Sequence, residues 1–165
     1  MGEIVTLSEV LGVRSSGVTI AFISGKFNVV HPGHLRLFRF AKEISDVLVV
    51  GVFADGTAPD ILLPESERLD GVAAINSVDY AVVLNSSVDE VIRSLKPDCV
   101  VKGREHEERH NPEYAELERY GGVIHFVSGD TRISAAALLR SEFSETRALI
   151  QHAKEYLNRR GIDRS

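Results

Sequence analysis

Short, continuous apolar runs alternate along this chain with longer stretches of helical periodicity. Val18–Ile23 and Val47–Ala54 are the longest of these runs, and both are rich in β-branched residues. Apolar runs of this length, with no alternating polar residues, are typical of strands that are buried on both faces. They are too short to cross a membrane, which takes about 20 apolar residues. The alternation therefore predicts a parallel sheet covered by helices on both sides.

The whole chain fits this alternation. Strands are predicted at Val18–Ile23, Val47–Phe53, Asp79–Leu84, Cys99–Val101 and Val123–Phe126. Helices are predicted at Pro32–Ile44, at Glu65–Asn76, from a cap at Ser86 or Ser87 to Lys96, at Pro112–Tyr120, at Ser134–Ser141 and at Ser144–Asn158. We therefore expect an α/β fold, a Rossmann-like doubly wound five-stranded parallel sheet with helices on both faces and right-handed crossovers.

Four loops are expected to carry the function. In open parallel sheets, ligands bind beyond the carboxyl ends of the strands. The loops that begin there are Gly25–Gly33, Asp55–Leu63, Lys102–Asn111 and Ser128–Ser134. The first, third and fourth are also the most polar, glycine-rich or histidine-rich segments of the chain. Fold and composition thus predict a functional site at the same edge of the sheet.

Composition excludes several classes of function. Lys and Arg number 19 against 24 Asp and Glu, which gives a formal net charge of −5 and a pI near 5.7. Proteins that bind nucleic acid polymers usually carry the opposite sign. Cys99 is the one cysteine, so there is no intrachain disulfide and no CxxC metal site. With no secretory pattern at the N-terminus, we expect a cytoplasmic protein that binds neither membranes nor nucleic acid.

A histidine pair occupies the first of the four loops. Residues 25–34 read GKFNVVHPGH and lead from the first strand into a helix. His31 and His34 are three residues apart, so they lie on one face of a first helical turn. Pro32 suits the first helical position, and Gly33 lets a ligand approach the backbone. Because free N–H groups and the helix dipole favour an anion there, we expect a phosphate clamp with two imidazole donors.

Two other interpretations of the histidine pair stay open. In one, both histidines are partly exposed and only cap the helix. In the other, they belong to a zinc site, which would require a third ligand. Glu105, His106 and His110 are distant in sequence but belong to a loop at the same predicted edge. Either interpretation would replace the phosphate clamp.

Residues 25–34 resemble the GxFDxxHxGH signature of the HIGH-motif nucleotidyltransferases. Within these enzymes, the likeness is greatest to the glycerol-3-phosphate cytidylyltransferase and heptose-phosphate adenylyltransferase group. The resemblance covers roughly residues 5–140. Further elements resemble the family in order and at matching intervals: Glu67-Arg68 before Val78-Asp79-Tyr80, Leu95–Gly103, and Ile133-Ser134 at a helix start.

The resemblance implies a reaction. An oxygen of a sugar- or polyol-phosphate attacks the α-phosphorus of ATP or CTP, and pyrophosphate leaves. Positioning and charge stabilisation carry such a step, usually with Mg²⁺ that arrives with the triphosphate. No metal ligand of the protein's own is expected. Adenylylation of pantetheine phosphate or of nicotinamide mononucleotide uses the same HxGH chemistry and remains an alternative.

The resemblance also implies roles for individual residues. His31 and His34 are expected to be catalytic, because they stabilise the transferring and leaving phosphates. The implied nucleotide-binding residues are Lys26, Phe27, His31, Gly33, His34, Lys102, Gly103, Ile133 and Ser134. The implied substrate-binding residues are Arg68, Arg104 and Glu105.

The chain departs from the family at several positions. Asn28 stands where the family has Asp, and Ser134-Ala135-Ala136 replaces Ser-Thr-Thr. The loop Asp55–Leu63 reads DGTAPDILL, with neither lysine nor arginine, whereas the family carries a catalytic lysine there. We hypothesise that Lys26 supplies the missing cation and is catalytic. The alternatives are that Lys26 is a solvated surface lysine, or that the domain binds a nucleotide without turning it over.

Residues 1–141 are expected to form one nucleotidyltransferase domain, with residues 1–16 as a leader helix. Residues 142–165 are expected to be a C-terminal helix that packs on the domain or acts as a linker. The chain is expected to form a homodimer, and this segment is a candidate for the dimer contact. The resemblance implies another possibility, because domains of this family are often fused to a ribokinase-like kinase domain.

Overall fold

The computed structural model of this protein describes residues 1–14 and 17–127. The predictions for Ile133 and Ser134 and for the segment 142–165 lie outside the described residues. Within the described ranges, no helix combines the length and the apolar character that crossing a membrane requires.

Six strands, five α-helices and one 3₁₀ turn account for the regular structure of the described residues. The strands are β1 (Glu3–Ile4), β2 (Ile20–Gly25), β3 (Val47–Phe53), β4 (Tyr80–Leu84), β5 (Cys99–Gly103) and β6 (Val123–Val127). The helices are α1 (Leu7–Arg14), α2 (Pro32–Glu43), α3 (Glu65–Ala73), α4 (Val88–Leu95) and α5 (Glu113–Glu118), and the 3₁₀ turn is Arg104–His106.

All strand pairs are parallel, and the order across the sheet is β1-β4-β3-β2-β5-β6. The chain moves outward from β2 through β3 to β4, then crosses back to add β5 and β6 on the other side of β2. The strand order therefore reverses between β2 and β5, where Ala21 pairs with Cys99 and Phe22 with Val100. In open sheets, the crevice beyond the carboxyl ends of such a strand pair is where ligands bind.

Two apolar layers sandwich the sheet, which explains the continuous apolar strands. Successive β2 residues alternate between the layers: Ala21 and Ile23 belong to one, and Ile20 and Phe22 to the other. Helices α2 and α3 contribute buried side chains to the first layer. Helices α1, α4 and α5 contribute buried side chains to the second. This confirms the α/β fold with a parallel sheet and helices on both faces.

The sheet has six strands rather than the five expected, and the extra strand lies in the leader. Residues Glu3–Ile4 pair with β4 before α1 begins at Leu7. The Glu3 amide donates to the Asp79 carbonyl at 2.8 Å, and the Val5 amide donates to the Ala81 carbonyl at 3.1 Å. A two-residue strand has no detectable periodicity, so its backbone partners in β4 decide it rather than its side chains.

Candidate functional site

Strands β2 and β5 end side by side at the point where the strand order reverses. β2 ends at Gly25 and β5 at Gly103. The histidine loop follows β2 into α2, and the 3₁₀ turn Arg104–His106 follows β5 directly. The first and third of the loops selected from the sequence therefore start at neighbouring strand ends.

His31 and His34 form a stacked pair at the start of α2. Their ring centroids are 3.9 Å apart with an interplanar angle of 28°. His31 is the residue before the first helical turn, and its Nδ1 accepts from the Gly33 amide at 3.1 Å. The Nδ1 of His34 accepts from the His31 amide at 3.4 Å. Because each Nδ1 is an acceptor in this network, each neutral ring carries its proton on Nε2.

Both imidazoles are neutral at pH 7. Burial lowers the pKa of His34 to about 4, with a further decrease from His31, while a hydrogen bond with the Val29 backbone opposes the shift. Burial also lowers the pKa of His31, and the charge of Glu105 opposes that change. The pair can therefore offer uncharged N–H donors, which suit a developing negative charge without being a source of positive charge.

The backbone N–H groups at the N-terminus of α2 are largely hydrogen-bonded to His31, the residue that caps the helix. Its first residue is Pro32, which has no N–H. The Gly33 amide donates to the His31 side chain, and the His34 amide donates to the His31 carbonyl at 2.9 Å. Backbone donors expected to meet a phosphate are thus engaged in the cap. The helix dipole and the imidazole edges remain as the features that would attract an anion.

Phe27 packs against His34. Its ring is 5% exposed and lies 5.1 Å from the His34 ring and 5.7 Å from the Phe38 ring, measured between centroids. The Phe27 backbone has a φ of 51°, which is unusual for a residue other than glycine. A Cβ added at Gly25 would lie 3.0 Å from the Phe27 ring. Gly25 and the left-handed Phe27 backbone together let the loop reverse over this aromatic contact.

Asn28 ties the histidine loop to the loop after β3. Its Nδ2 donates to the Asp60 carbonyl at 2.7 Å, and its Oδ1 accepts from the Leu62 amide at 2.9 Å. The same pair of loops is also joined by an ion pair between Lys26 and Asp60. An aspartate at position 28 could accept from Leu62 but would have no donor for the Asp60 carbonyl. The amide therefore suits this loop better than the family's carboxylate would.

Arg68 lies inside the fold and not on the surface of the site, where the sequence predicted substrate contact. Its side chain is fully enclosed, next to the exposed carboxylate of Asp55. It donates to the Leu63, Lys26 and Phe53 carbonyls and to Asp55 Oδ1, at 2.7–2.8 Å. These bonds join the ends of β2 and β3 to the loop that precedes α3. Arg68 thus holds the site loops together in this structure.

Lys102 is also directed into the protein. Its Nζ donates to Asn111 Oδ1 at 2.8 Å and to Glu113 Oε1 at 2.7 Å. Asn111 and Glu113 are each 6% exposed, and Glu113 Oε2 is buried with no hydrogen-bond partner. The ammonium group is therefore used to neutralise a buried carboxylate, and the Lys102 backbone remains to border a ligand.

The turn after β5 brings Glu105 back over Gly103. A Cβ at Gly103 would collide with both Glu105 carboxylate oxygens, so any other residue there would make the exposed Glu105 side chain move aside. Arg104 is exposed and pairs with Glu107. Glu105 and His106 lie 3.8 Å apart between Oε1 and Nε2. Glu105 and Arg104 thus have side chains accessible to a substrate.

The structure brings together most of the expected residues that it describes. Those gathered around the ends of β2 and β5 are Lys26, Phe27, His31, Gly33, His34, Lys102, Gly103, Arg104 and Glu105. No three His, Cys, Asp or Glu side chains within residues 1–14 and 17–127 are placed to hold a metal ion. His31 and His34 therefore form no three-ligand group with residues 105–110, which the zinc interpretation would require.

Sequence reasoning missed three residues of this region: Asp60, Asn111 and Glu113. Asp60 lies in the loop Asp55–Leu63, which the sequence places at a strand end and which lacks basic residues. A search for carboxylates in that loop would have found it. Asn111 ends the charged loop after β5, and Glu113 comes two residues later. Asn111 accepts from Lys102 and donates to the His106 and Arg109 carbonyls. Nothing in the local pattern indicates that Asn111 and Glu113 reach back to Lys102.

Comparisons with known proteins agree on one family. A family model described as cytidylyltransferase-like matches residues 22–155. The chain is 33% identical over 134 residues to bifunctional protein HldE of Campylobacter fetus, a match covering 77% of this chain and 29% of that protein. It is 30% identical over 146 residues to the protein of the same name from Nitratiruptor sp., covering 84% and 31%. The chain thus spans about three tenths of the length of these relatives.

Solved structures share the fold. A lipopolysaccharide core biosynthesis protein from Thermoplasma volcanium superposes with a TM-score of 0.56 at 23% identity, covering 68% of this chain and 96% of that one. A pantoate-beta-alanine ligase from Francisella tularensis superposes with a TM-score of 0.57 at 13% identity, covering 80% and 69%. At these identities the likeness concerns the fold alone.

Proposed function

This chain belongs to the cytidylyltransferase-like family, and we propose that it is a nucleotidyltransferase that transfers a nucleoside monophosphate from ATP or CTP to a sugar- or polyol-phosphate. A phosphate oxygen of the acceptor forms a bond to the α-phosphorus. The bond from that phosphorus to the oxygen bridging to the β-phosphate breaks, and pyrophosphate leaves with the bonding electrons. The observation that carries the proposal is the stacked His31–His34 pair beside the end of β5.

The histidine pair would act through fixed, uncharged donors. Stacking and the two Nδ1 hydrogen bonds hold both rings before any substrate arrives. Donors that need no reorganisation during the reaction stabilise developing charge more effectively than mobile ones. Phe27 packs against His34, and Gly33 between the two histidines places no side chain in the way of a ligand. The chain's work in this reaction is thus to position the triphosphate and to stabilise the departing charge.

Magnesium fits this site as a companion of the triphosphate. Mg²⁺ keeps several waters and is commonly bound through substrate phosphates with few protein ligands. The imidazole edges of His31 and His34 at the start of α2 suit phosphate oxygens, so the ion would be held through the triphosphate. His31 and His34 would hold it indirectly, by orienting the triphosphate. When bound, the ion neutralises negative charge on the triphosphate oxygens.

The partners of the chain belong to the same proposal. The relatives are named bifunctional proteins, and this chain matches about three tenths of their length. We infer that it works together with a ribokinase-like kinase domain that supplies the phosphorylated acceptor, in the cytoplasm. Ser134 after Ile133 would hold the β- and γ-phosphates, and residues 142–165 would carry the homodimer or interdomain contact.

One observation favours a second candidate, a nucleotide-binding module without turnover. The loop Asp55–Leu63 contains no basic residue and carries Asp60 in an ion pair with Lys26. If that loop contributed no positive charge to the reaction, the domain would bind a triphosphate and release it unchanged.

A pyrophosphate-release screen tests the proposal. ATP and CTP are each offered with a panel of sugar and polyol phosphates, and His31→Asn serves as the site variant. Asparagine retains an N-cap acceptor but removes the imidazole, so the fold should persist while kcat falls by about 100- to 1000-fold. Unfolding temperatures of both proteins check the fold. If no pair releases pyrophosphate although ATP or CTP binds, the second candidate replaces the first.

A further inference from the structure

We infer that Lys26 supplies positive charge to the transferring phosphate. Before a triphosphate binds, Asp60 pairs with this lysine, and the triphosphate then replaces the Asp60 carboxylate. The inference rests on the proposed function and concerns the same site. Its starting point is an ion pair that joins two loops, one after β2 and one after β3.

The histidine pair leaves a need for positive charge at this edge. A triphosphate is a polyanion, and the chain itself has a net charge of −5. His31 and His34 contribute N–H donors but no charge at neutral pH. Stabilising the charge that develops in phosphoryl transfer takes cationic groups as well as donors. A cationic side chain close to the end of β2 would add to the positive charge that Mg²⁺ brings with the triphosphate.

Among the residues that the structure describes, two other basic side chains near these strand ends, Arg68 and Lys102, are committed elsewhere. The guanidinium of Arg68 is fully enclosed and makes four hydrogen bonds to carbonyls and Asp55. Lys102 is bound to a carboxylate that is 8% exposed, and leaving it would strand a buried charge. Neither of these two can turn toward a phosphate beside the histidines without breaking the interactions described. Arg104 is exposed and pairs with Glu107, but it lies on the turn after β5 and not on the loop that carries the histidines.

Lys26 differs from Arg68 and Lys102 because its ion pair is exposed, and from Arg104 because it lies on the loop that carries the histidines. The Lys26 and Asp60 side chains are 38% and 64% exposed. Such pairs contribute little, and an incoming polyanion can displace the carboxylate. Lys26 follows Gly25 directly, at the start of the loop that leads to the histidines. Its charge is therefore available on the loop where the phosphates are expected.

The backbones of the two residues are fixed although their side chains are free to separate. Arg68 Nη1 donates to the Lys26 carbonyl at 2.7 Å. Asn28 Nδ2 donates to the Asp60 carbonyl at 2.7 Å. The loops therefore keep their positions when the ion pair opens, and only the lysine side chain needs to move. This arrangement allows Lys26 to exchange a carboxylate for a phosphate.

The test measures binding separately from turnover. Kd values for ATP, CTP, adenosine and cytidine are measured with the wild-type chain and with Lys26→Ala, and kcat is measured with the active pair from the screen. We expect Lys26→Ala to weaken triphosphate binding about ten-fold, leave nucleoside binding unchanged and lower kcat about 100-fold. Arg39→Ala, which removes an exposed cation from α2, is the matched control and should change neither quantity.

Two variants of Asp60 sharpen the test. Asp60→Asn removes the competing carboxylate, so triphosphate binding should tighten about two- to five-fold. In the double variant Lys26→Ala with Asp60→Lys, the charge moves to the loop after β3, and at least ten-fold of the lost kcat should return. A merely structural role of the ion pair would not produce this recovery.

The outcomes separate this inference from the proposed function. If the wild-type chain releases pyrophosphate and Lys26→Ala retains its kcat and its triphosphate Kd within two-fold, the inference is wrong and the function stands. If no acceptor is used by the wild-type chain, the function is wrong. In that case, triphosphate binding that Lys26→Ala does not weaken overturns the inference as well, and a ten-fold weakening supports it.

Discussion

Two lysines near the ends of neighbouring strands have opposite environments. Lys26 follows β2 and makes an exposed ion pair with Asp60. Lys102 lies in β5, and its Nζ is bound to the buried side chains of Asn111 and Glu113. The same residue type thus provides an available charge in one loop and neutralises a buried charge in the other. Burial of the partner carboxylate decides between these roles, because a buried carboxylate cannot lose its cation without a large free-energy cost.

The largest expected change in stability is that of Lys102→Ala. Lys102→Ala leaves the Glu113 carboxylate without its cation, while Oε2 of the same group is already without a hydrogen-bond partner. We expect the free energy of unfolding to fall by about 3 kcal/mol, as measured by urea denaturation. The double variant Lys102→Met with Glu113→Leu removes both charges and should recover most of that loss. A single variant as stable as the wild-type chain would refute the buried pair as described.

The histidine loop should make stability depend on pH. The pKa of His34 is lowered to about 4 by burial, so the unfolded chain takes up a proton at higher pH than the folded chain does. Stability is therefore complete above the ordinary histidine pKa and declines as the pH falls from about 6.5 toward 4. We expect a loss of about 2 kcal/mol through this group, allowing for its partial exposure. Urea denaturation across this range measures it, and His34→Gln should flatten the profile.

A smaller effect is expected where Asn28 joins the loops after β2 and β3. Asn28→Asp keeps the acceptor for the Leu62 amide but removes the donor to the Asp60 carbonyl. The loss of one hydrogen bond at a buried residue should lower the free energy of unfolding by about 1 kcal/mol. Thermal denaturation measures this change. A more stable Asn28→Asp chain would show that the family's carboxylate suits this loop as well as the amide.

The smallest effect on stability is expected for Lys26→Ala, the direct counterpart of Lys102→Ala. Because its ion pair is exposed, the free energy of unfolding should change by less than about 1 kcal/mol. The same urea titration on both alanine variants provides the comparison. A loss equal to that of Lys102→Ala would mean that the two lysines have the same structural role, and the distinction drawn between the two loops would be wrong.

Much of the fold could be predicted from local patterns. The apolar runs that became β2 and β3 indicated buried parallel strands, and the predicted α/β architecture is confirmed. β1 was missed because two residues carry no periodicity and pair only through backbone groups of β4. The grouping of His31 and His34 followed from their spacing. The positions of Arg68 and Lys102 did not, because their partners lie in other segments of the chain.

The amino-acid sequence by itself determined the order of strands and helices, the HxGH pattern and the family to which that pattern belongs. These properties depend on residue type and on spacing along the chain. The tertiary structure decided which charges are available. Arg68 is internal because three carbonyls and the Asp55 carboxylate from separate segments accept its hydrogen bonds. Lys102 is directed inward because the buried Glu113 carboxylate binds it. Whether a charge faces a ligand depends on desolvation and on partners, and these exist only once the chain has folded.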